Sequence, residues 1–331
     1  MVPGARGAPS LVGVRPIRRC SYIGGGPRIG GGPVNLLDVV LPLARAARFR
    51  PALRERAPLG EGLEWVDDYH ACAWLDPQTV AIVEPRYYQQ NVNYLILGRE
   101  RALLFDSGPG LRDLTPVVRG LTDLPVVSTC SHLHYDHVGG LGRFDEVALL
   151  DLPAYRRQVR QGRFLPARHQ HWGDLEGLDR PDVVVNTWWS DGAVVDLGGR
   201  SLQVHHLPGH SADGVALYDP QADQLFAGDF IYPKGIYAFL PDSDLGDYVR
   251  SCRRALDLVG PRGQVLSAHT GRPAVAAVPV MARSDVQTVL DGLLQVQDGS
   301  ARGQGVFPRR YPLDGGMVIL AGFGRGRQRA R

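Results

Sequence analysis

The sequence predicts an α/β (α+β) domain, on three observations. Short runs rich in β-branched and aliphatic residues begin at Val80 and recur as far as Phe105. A second series of such runs starts near Ala193 and gives way to helical periodicities. Between them, the buried-strand run 124–130 leads directly into Ser131 and His132. Histidines that follow a strand without a break lie at its carboxyl end, where open α/β sheets carry their sites.

In chain order, residues 1–35 read as a flexible tail rich in Gly and Pro. Arg18-Arg19 is similar to a twin-arginine export signal, but runs of glycine at 24–26 and 30–32 stand where its apolar segment belongs, so export is not predicted. Residues 36–57 show helical spacing interrupted by Pro42 and Pro51, a broken amphipathic helix within an arm assigned to 36–79. The main domain is assigned to 80–331. Its first strands are expected at 80–83, 93–97 and 102–105, followed by a helix over 111–121 and the strand at 124–130. Residues 153–190 change character, with Arg, Gln and aromatics and no long apolar run, and are read as a helical or irregular insertion. Strands are expected again at 193–197, 201–206, 215–218 and 224–227. A helix at 247–259, a strand at 264–267, a helix near 279–297 and a last strand at 317–321 follow.

The composition narrows the function classes. With 331 residues, 44% hydrophobic and 21% charged, the chain is an ordinary globular one, and no run of 18 apolar residues offers a membrane span. Lys and Arg number 37 against 34 Asp and Glu, with the basic excess at the two ends, so no nucleic-acid face is indicated. Cys20, Cys72, Cys130 and Cys252 lie far apart and read as packing thiols in a reducing, cytoplasmic setting.

The chemistry is concentrated in His132-Leu133-His134-Tyr135-Asp136-His137. A divalent cation needs imidazole nitrogens and carboxylate oxygens converging at about 2.0–2.2 Å. Alternating histidines in an extended turn send both rings to one side, which leaves the next carboxylate and imidazole for a second ion. Three later runs repeat the strand-then-ligand pattern: Pro208-Gly209-His210-Ser211, Gly228-Asp229 and Ala268-His269. Five histidines (132, 134, 137, 210 and 269) thus join Asp136 and Asp229, a set that suits two ions with an open position between them.

Together with Asp106-Ser107-Gly108, these motifs resemble, in order, the five-motif set of the metallo-β-lactamase superfamily, over roughly residues 80–270. The resemblance implies an αββα four-layer sandwich with the metal site at one edge between the sheets. It implies one ion on His132, His134 and His210 and a second on Asp136, His137 and His269, with Asp229 as the bridge and Asp106 supporting the site from behind. Two departures are mild: Ser107 replaces the more usual Thr, and Ala268 precedes the last histidine.

Within the superfamily, Asp229 rather than Cys or Ser disfavours true zinc β-lactamases. His134 rather than Glu disfavours flavodiiron proteins, and the absence of an inserted domain between Asp229 and His269 disfavours the β-CASP nucleases. What remains is similar to the glyoxalase II-like, lactonase and acyl-CoA thioesterase group. The stretches 84–88, 139–145, 228–232 and 240–249 look most like the acyl-CoA thioesterase branch. The activity implied is cleavage of a small-molecule thioester or ester by a hydroxide bridging two divalent ions, zinc first, with iron or manganese as alternatives. Tyr232, three residues after Asp229, is the candidate oxyanion donor, and Asp136 the candidate proton carrier to the leaving group. A lactonase, and a mononuclear iron enzyme that oxidises sulfur, are the rival activities; a domain that only binds is disfavoured by the complete ligand set. His70, His169, His171, His205 and His206 are expected to pack or be solvated. Trp172, Trp188, Trp189, Tyr237 and Phe239 are candidate pocket aromatics, and Lys234 a candidate contact for a substrate anion. Oligomeric state is not legible.

Overall fold

The computed structural model describes residues 53–56, 58–270 and 276–322. The tail at 1–35, Cys20 and nearly all of the segment expected to be helical at 36–57 lie outside the described residues.

An eight-stranded sheet runs, in spatial order, Glu64–Trp65, Ala71–Asp76, Thr79–Val83, Val92–Leu97, Ala102–Phe105, Val126–Thr129, Glu146–Leu150, Thr187–Trp189. It is antiparallel up to Ala102–Phe105 and parallel beyond. A six-stranded sheet follows the order Val194–Asp196, Ser201–His206, Val215–Asp219, Gln224–Gly228, Gln264–Ser267, Val280–Ala282. Strand alternation explains how the two meet. Ala81, Val83, Leu103 and Phe105 point to one face and join Leu202, Val204, Leu217, Phe226 and Leu266 of the second sheet in one core. On the outer face of the first sheet, Val80, Ile82, Ala102 and Leu104 pack on Val117 and Val118 of helix Thr115–Leu121. On the outer face of the second, Ala216, Leu225, Ala227 and Val265 pack under helices Leu245–Leu258 and Arg283–Asp298. The layers are therefore α, β, β, α, the sandwich expected.

Local chemistry sets the element ends. Helix Leu245–Leu258 is capped by Asp244, whose carboxylate accepts from Asp247 N at 2.8 Å, and it buries Tyr248, Val249, Cys252, Ala255 and Leu256 at helical spacing. The helix expected over 111–121 starts only at Thr115, where Asp113 accepts from the Thr115 amide and Pro116 occupies the first turn.

Three expectations are corrected. Residues 64–76 are not an arm but edge strands of the first sheet. Ala71 and Ala73 face the core there, and alanine carries little β signal. The insertion is more ordered than expected: one-turn helices Pro153–Arg156 and Arg168–His171 accompany a three-stranded antiparallel sheet, Val183–Val184, Arg163–Phe164, Val159–Arg160. Its end, Thr187–Trp189, belongs to the large sheet. Finally, Glu146–Leu150, Gly235–Ala238 and Arg309–Pro312 are strands the sequence reading did not separate from loops, and Val280–Ala282, expected to open the helix near 279–297, is a strand, with the helix starting at Arg283. Cys72, Cys130 and Cys252 are buried free thiols, as expected. No helix among the described residues is long and apolar enough to cross a membrane.

Candidate metal centre

Each expected ligand sits just past a strand's carboxyl end or in the turn that follows. Strand Val126–Thr129 leads to His132 and His134, and the one-turn helix Tyr135–Val138 presents Asp136 and His137. Ser201–His206 leads to His210, Gln224–Gly228 to Asp229, and Gln264–Ser267 to His269. The approach is tight at Gly228, where φ is 55° and a Cβ would lie 2.3 Å from that of Ser131. Only glycine admits this contact, which brings Asp229 against the first histidine loop.

The seven side chains converge, and each is at most 9% exposed. Their donor atoms form three overlapping sets, His132/His134/His210, His132/His137/Asp229 and Asp136/His137/His269, each within 4.8 Å. In the first, His134 Nδ1 lies 2.8 Å from His132 Nε2 and 3.2 Å from His210 Nε2. In the last, Asp136 Oδ2 lies 3.5 Å from His137 Nε2 and 3.4 Å from His269 Nε2. Tetrahedral ligands about 2.05 Å from an ion are about 3.3 Å apart, so this spacing is that of ligands around a cation. Asp229 faces both groups: Oδ1 is 3.1 Å from His269 Nε2 and 3.5 Å from His137 Nε2, while Oδ2 is 3.6 Å from His210 Nε2.

The far ring nitrogens are also held. His137 Nδ1 meets Asp106 Oδ2 at 2.9 Å, His269 Nδ1 meets Gln89 O at 3.1 Å, His210 Nδ1 meets Tyr237 O at 3.3 Å and His132 Nδ1 meets Ser131 Oγ at 3.0 Å. Such contacts fix the tautomer that turns Nε2 of these four rings inward. Asp106, itself at φ 67°, also accepts from Ser131 N at 2.6 Å.

Two observations show that the residues fit metal ions. His137 Nε2 and Asp229 Oδ1 are buried with no hydrogen-bond partner among the described residues, a costly state that a cation between them removes. Burial also pulls His132 and His134 below the ordinary imidazole range and His210 to about 4, leaving them neutral, the form that ligates metal. At His137 and His269 burial pulls the same way, but the carboxylates of Asp136 and Asp229 outweigh it and raise both, His269 to about 10. Protons there neutralise the carboxylates where a second ion would do so.

The family model described as the metallo-beta-lactamase superfamily matches residues 87–263. The chain belongs to the metallo-β-lactamase superfamily. It is similar to acyl-coenzyme A thioesterase MBLAC2 of Gallus gallus, 30% identical over 241 residues that cover 64% of this chain and 79% of that protein. It is also similar to hydroxyacylglutathione hydrolase of Aeromonas hydrophila subsp. hydrophila, 29% identical over 155 residues, 45% of this chain and 49% of that protein. Among solved structures, the metallo-beta-lactamase from Pontibacter korlensis matches with a TM-score of 0.52 at 19% identity, over 68% of this chain and all but 1% of its own, covering 99%. That likeness is one of fold.

In this superfamily hydrolase the centre floors a cleft of about 730 Å³. Trp172 and Leu175 of the insertion line it, and so do Tyr232, Lys234 and Tyr237, as expected. Three expected pocket aromatics do not. Trp189 points into the core between the sheets, Trp188 lies against Phe164 and under Arg156, and Phe239 packs on Tyr237 and Phe307. Trp189 is set in the core and Trp188 lies against the insertion, so neither lines the cleft. Of the other histidines, His70, His171 and His205 are buried, and His70 pairs with Asp67.

The sequence reading missed Glu176. This buried carboxylate of the insertion accepts from three tyrosine hydroxyls: Tyr87 at 2.7 Å, Tyr88 at 2.5 Å and Tyr135 at 2.7 Å. Tyr135 lies between the ligands His134 and Asp136, and Tyr88 precedes Gln89, whose carbonyl holds His269. No local motif announces Glu176; its partners come from elements remote in the chain.

Asp106 gives a first prediction. Asp106→Asn keeps the shape but removes the charge that holds the His137 ring, so affinity for a metal ion held through His137 is expected to fall about 10- to 100-fold. Titration of the metal-free protein with zinc reads this directly, and unchanged affinity would exclude the role.

Proposed function

We propose that the protein hydrolyses thioesters or related esters, of acyl-CoA or glutathione type, with two divalent metal ions. One ion is assigned to His132, His134 and His210, the other to Asp136, His137 and His269, with Asp229 shared. The observation that carries this reading is the placement of the two Asp229 oxygens toward separate histidine groups on the floor of an open cleft. The names of the relatives, a thioesterase and a hydroxyacylglutathione hydrolase, support the substrate class. Imidazole and carboxylate ligands suit zinc first, and iron or manganese as well.

When bound, such a pair acidifies a water toward neutral pH and polarises a carbonyl oxygen. The chain's own residues do the rest. Tyr232 lines the cleft with its ring 5.5 Å from that of His269, and we assign its hydroxyl the task of donating to the developing oxyanion. Burial, then Asp229, raises its pKa well above the ordinary range, which keeps the proton on the oxygen. Asp136 is assigned proton transfer to the leaving group, a small demand when that group is a thiolate. The buried free thiols are in keeping with a cytoplasmic enzyme.

The test joins elemental analysis to turnover of palmitoyl-CoA, S-lactoylglutathione and an acyl-homoserine lactone. About two zinc per chain with thioester turnover supports the reading. One iron and no hydrolysis favours oxidative chemistry, and turnover of the lactone alone favours a lactonase. In the same assay Tyr232→Phe is expected to lower kcat on the order of 10²-fold with little change in KM. An unchanged kcat would reduce Tyr232 to a packing residue.

A further inference from the structure

The cleft wall that faces the insertion is a three-stranded sheet, ordered Gly235–Ala238, Val318–Ala321, Arg309–Pro312. Its register places Tyr237 opposite Leu320, and Leu320 opposite Arg310, so these side chains form one row across one face. The next row, Ile236, Ile319 and Tyr311, points the other way and is buried beneath the helices of the second sheet. The period of two thus commits Arg310 to the cleft, and Lys234, just before the first strand, lines it as well.

Neither cation forms an ion pair or a side-chain hydrogen bond among the described residues. Both are solvent-exposed at the cleft, whereas the buried Arg200 and the half-buried Arg168 are held by partners. Arg200 is bound by Asp219, Thr79 and Gln224, and Arg168 by Asp174. The only carboxylates among the described residues of the cleft are Asp136 and Asp229, in its floor and turned to the metal ligands. Trp172 and Leu175 of the insertion and Leu240 add apolar surface to a lining that also holds the uncharged Tyr88, Gln89 and Tyr135. One wall therefore carries two positive charges with no protein partner among the described residues, and Trp172, Leu175 and Leu240 offer hydrocarbon within the same cleft.

We propose that Arg310 and Lys234 bind an anionic group on the leaving thiol, so that the substrate is a thioester of a negatively charged carrier whose acyl chain lies along Trp172, Leu175 and Leu240. This rests on the thioester reading above. The shared chemistry is an anion held by guanidinium and ammonium, supplied either by phosphates of a nucleotide thiol or by carboxylates of a peptide thiol.

The experiment uses one acyl group on three carriers: octanoyl-CoA, S-octanoylglutathione and the uncharged S-octanoyl-N-acetylcysteamine. Arg310→Ala, Lys234→Ala and the double variant are compared with the parent. KM for a charged thioester is expected to rise about tenfold per charge removed, and on the order of 100-fold in the double variant. Turnover of the neutral thioester reports on folding and is expected to stay within about twofold. The charged substrate that responds identifies phosphate or carboxylate as the anion. Equal losses on all three, or no loss on any, overturns the proposal.

If the parent hydrolyses none of the three, the thioester reading fails, and the anion site is then read separately. S-octyl-CoA and S-octylglutathione, thioethers that cannot be cleaved, are titrated calorimetrically. Binding to the parent that the double variant loses upholds the anion site; equal binding to both, or none, overturns it.

Discussion

Asp229→Ala is expected to remove nearly all hydrolytic activity, lowering kcat/KM on the order of 10³-fold or more, and to reduce bound metal below two ions per chain. The carboxylate reaches both histidine groups, with Oδ1 3.1 Å from His269 Nε2 and Oδ2 3.6 Å from His210 Nε2. Among the described residues it is also one of two carboxylates in a floor that otherwise offers imidazoles. On the two-ion reading proposed above, its loss would leave Asp136 as the carboxylate facing the ions from the cleft floor and Asp106 behind His137, in a site at most 9% exposed. A metal pair supplies several kcal/mol of transition-state stabilisation, which converts to about 10³ in rate at 1.36 kcal/mol per decade. Asp229→Glu, which keeps the charge and misplaces it by one methylene, is expected to retain metal better than activity. Elemental analysis and turnover on the same samples check both. Full activity in Asp229→Ala would show that the reaction does not use a shared carboxylate.

Glu176→Ala is the second large effect, and it falls on stability as well as on the site. Removing the carboxylate leaves the hydroxyls of Tyr87, Tyr88 and Tyr135 without that acceptor, and of these Tyr87 is fully buried and Tyr135 half-buried. Each orphaned buried donor costs about 1–3 kcal/mol, and Tyr88 and Tyr135 keep a mutual contact at 3.1 Å that softens the loss. A total near 3 kcal/mol corresponds to roughly 5 °C in Tm for a domain of this size. Because Tyr135 sits between His134 and Asp136, metal affinity is expected to fall along with Tm. Glu176→Gln keeps an acceptor oxygen and is expected to recover most of the stability. Calorimetric melting with and without zinc separates the two consequences, and an unchanged Tm in Glu176→Ala would show that the tyrosines hold the insertion by packing alone.

The two predictions differ in how visible their residues are in the sequence. Asp229 follows Gly228 at the end of an apolar strand, so its chemistry and position can be read together. Glu176 lies in an insertion without periodicity, and nothing near it names Tyr87 or Tyr135 as partners. Trp188 and Trp189 show the same difficulty from the other side. They look like pocket aromatics because they stand in that insertion, yet pairing with Glu146–Leu150 sets one into the core and the other under Arg156. Arg310 was invisible for a related reason: alternation in Arg309-Arg310-Tyr311 says that neighbours part company, not which face meets a cleft.

By itself, then, the sequence picked out the candidate ligands, the strand ends that carry them and the family's fold. Those signals are local: four ligands lie within six residues, and the others directly follow apolar strands. Only the tertiary structure decided which oxygen of Asp229 meets which histidines, that residues 64–76 are sheet and not arm, and which walls enclose the cleft. These depend on contacts between segments far apart in the chain. Where a strand packs on both faces, as at Thr187–Trp189, hydrophobic alternation is the same whichever neighbour it packs on, so only packing can choose.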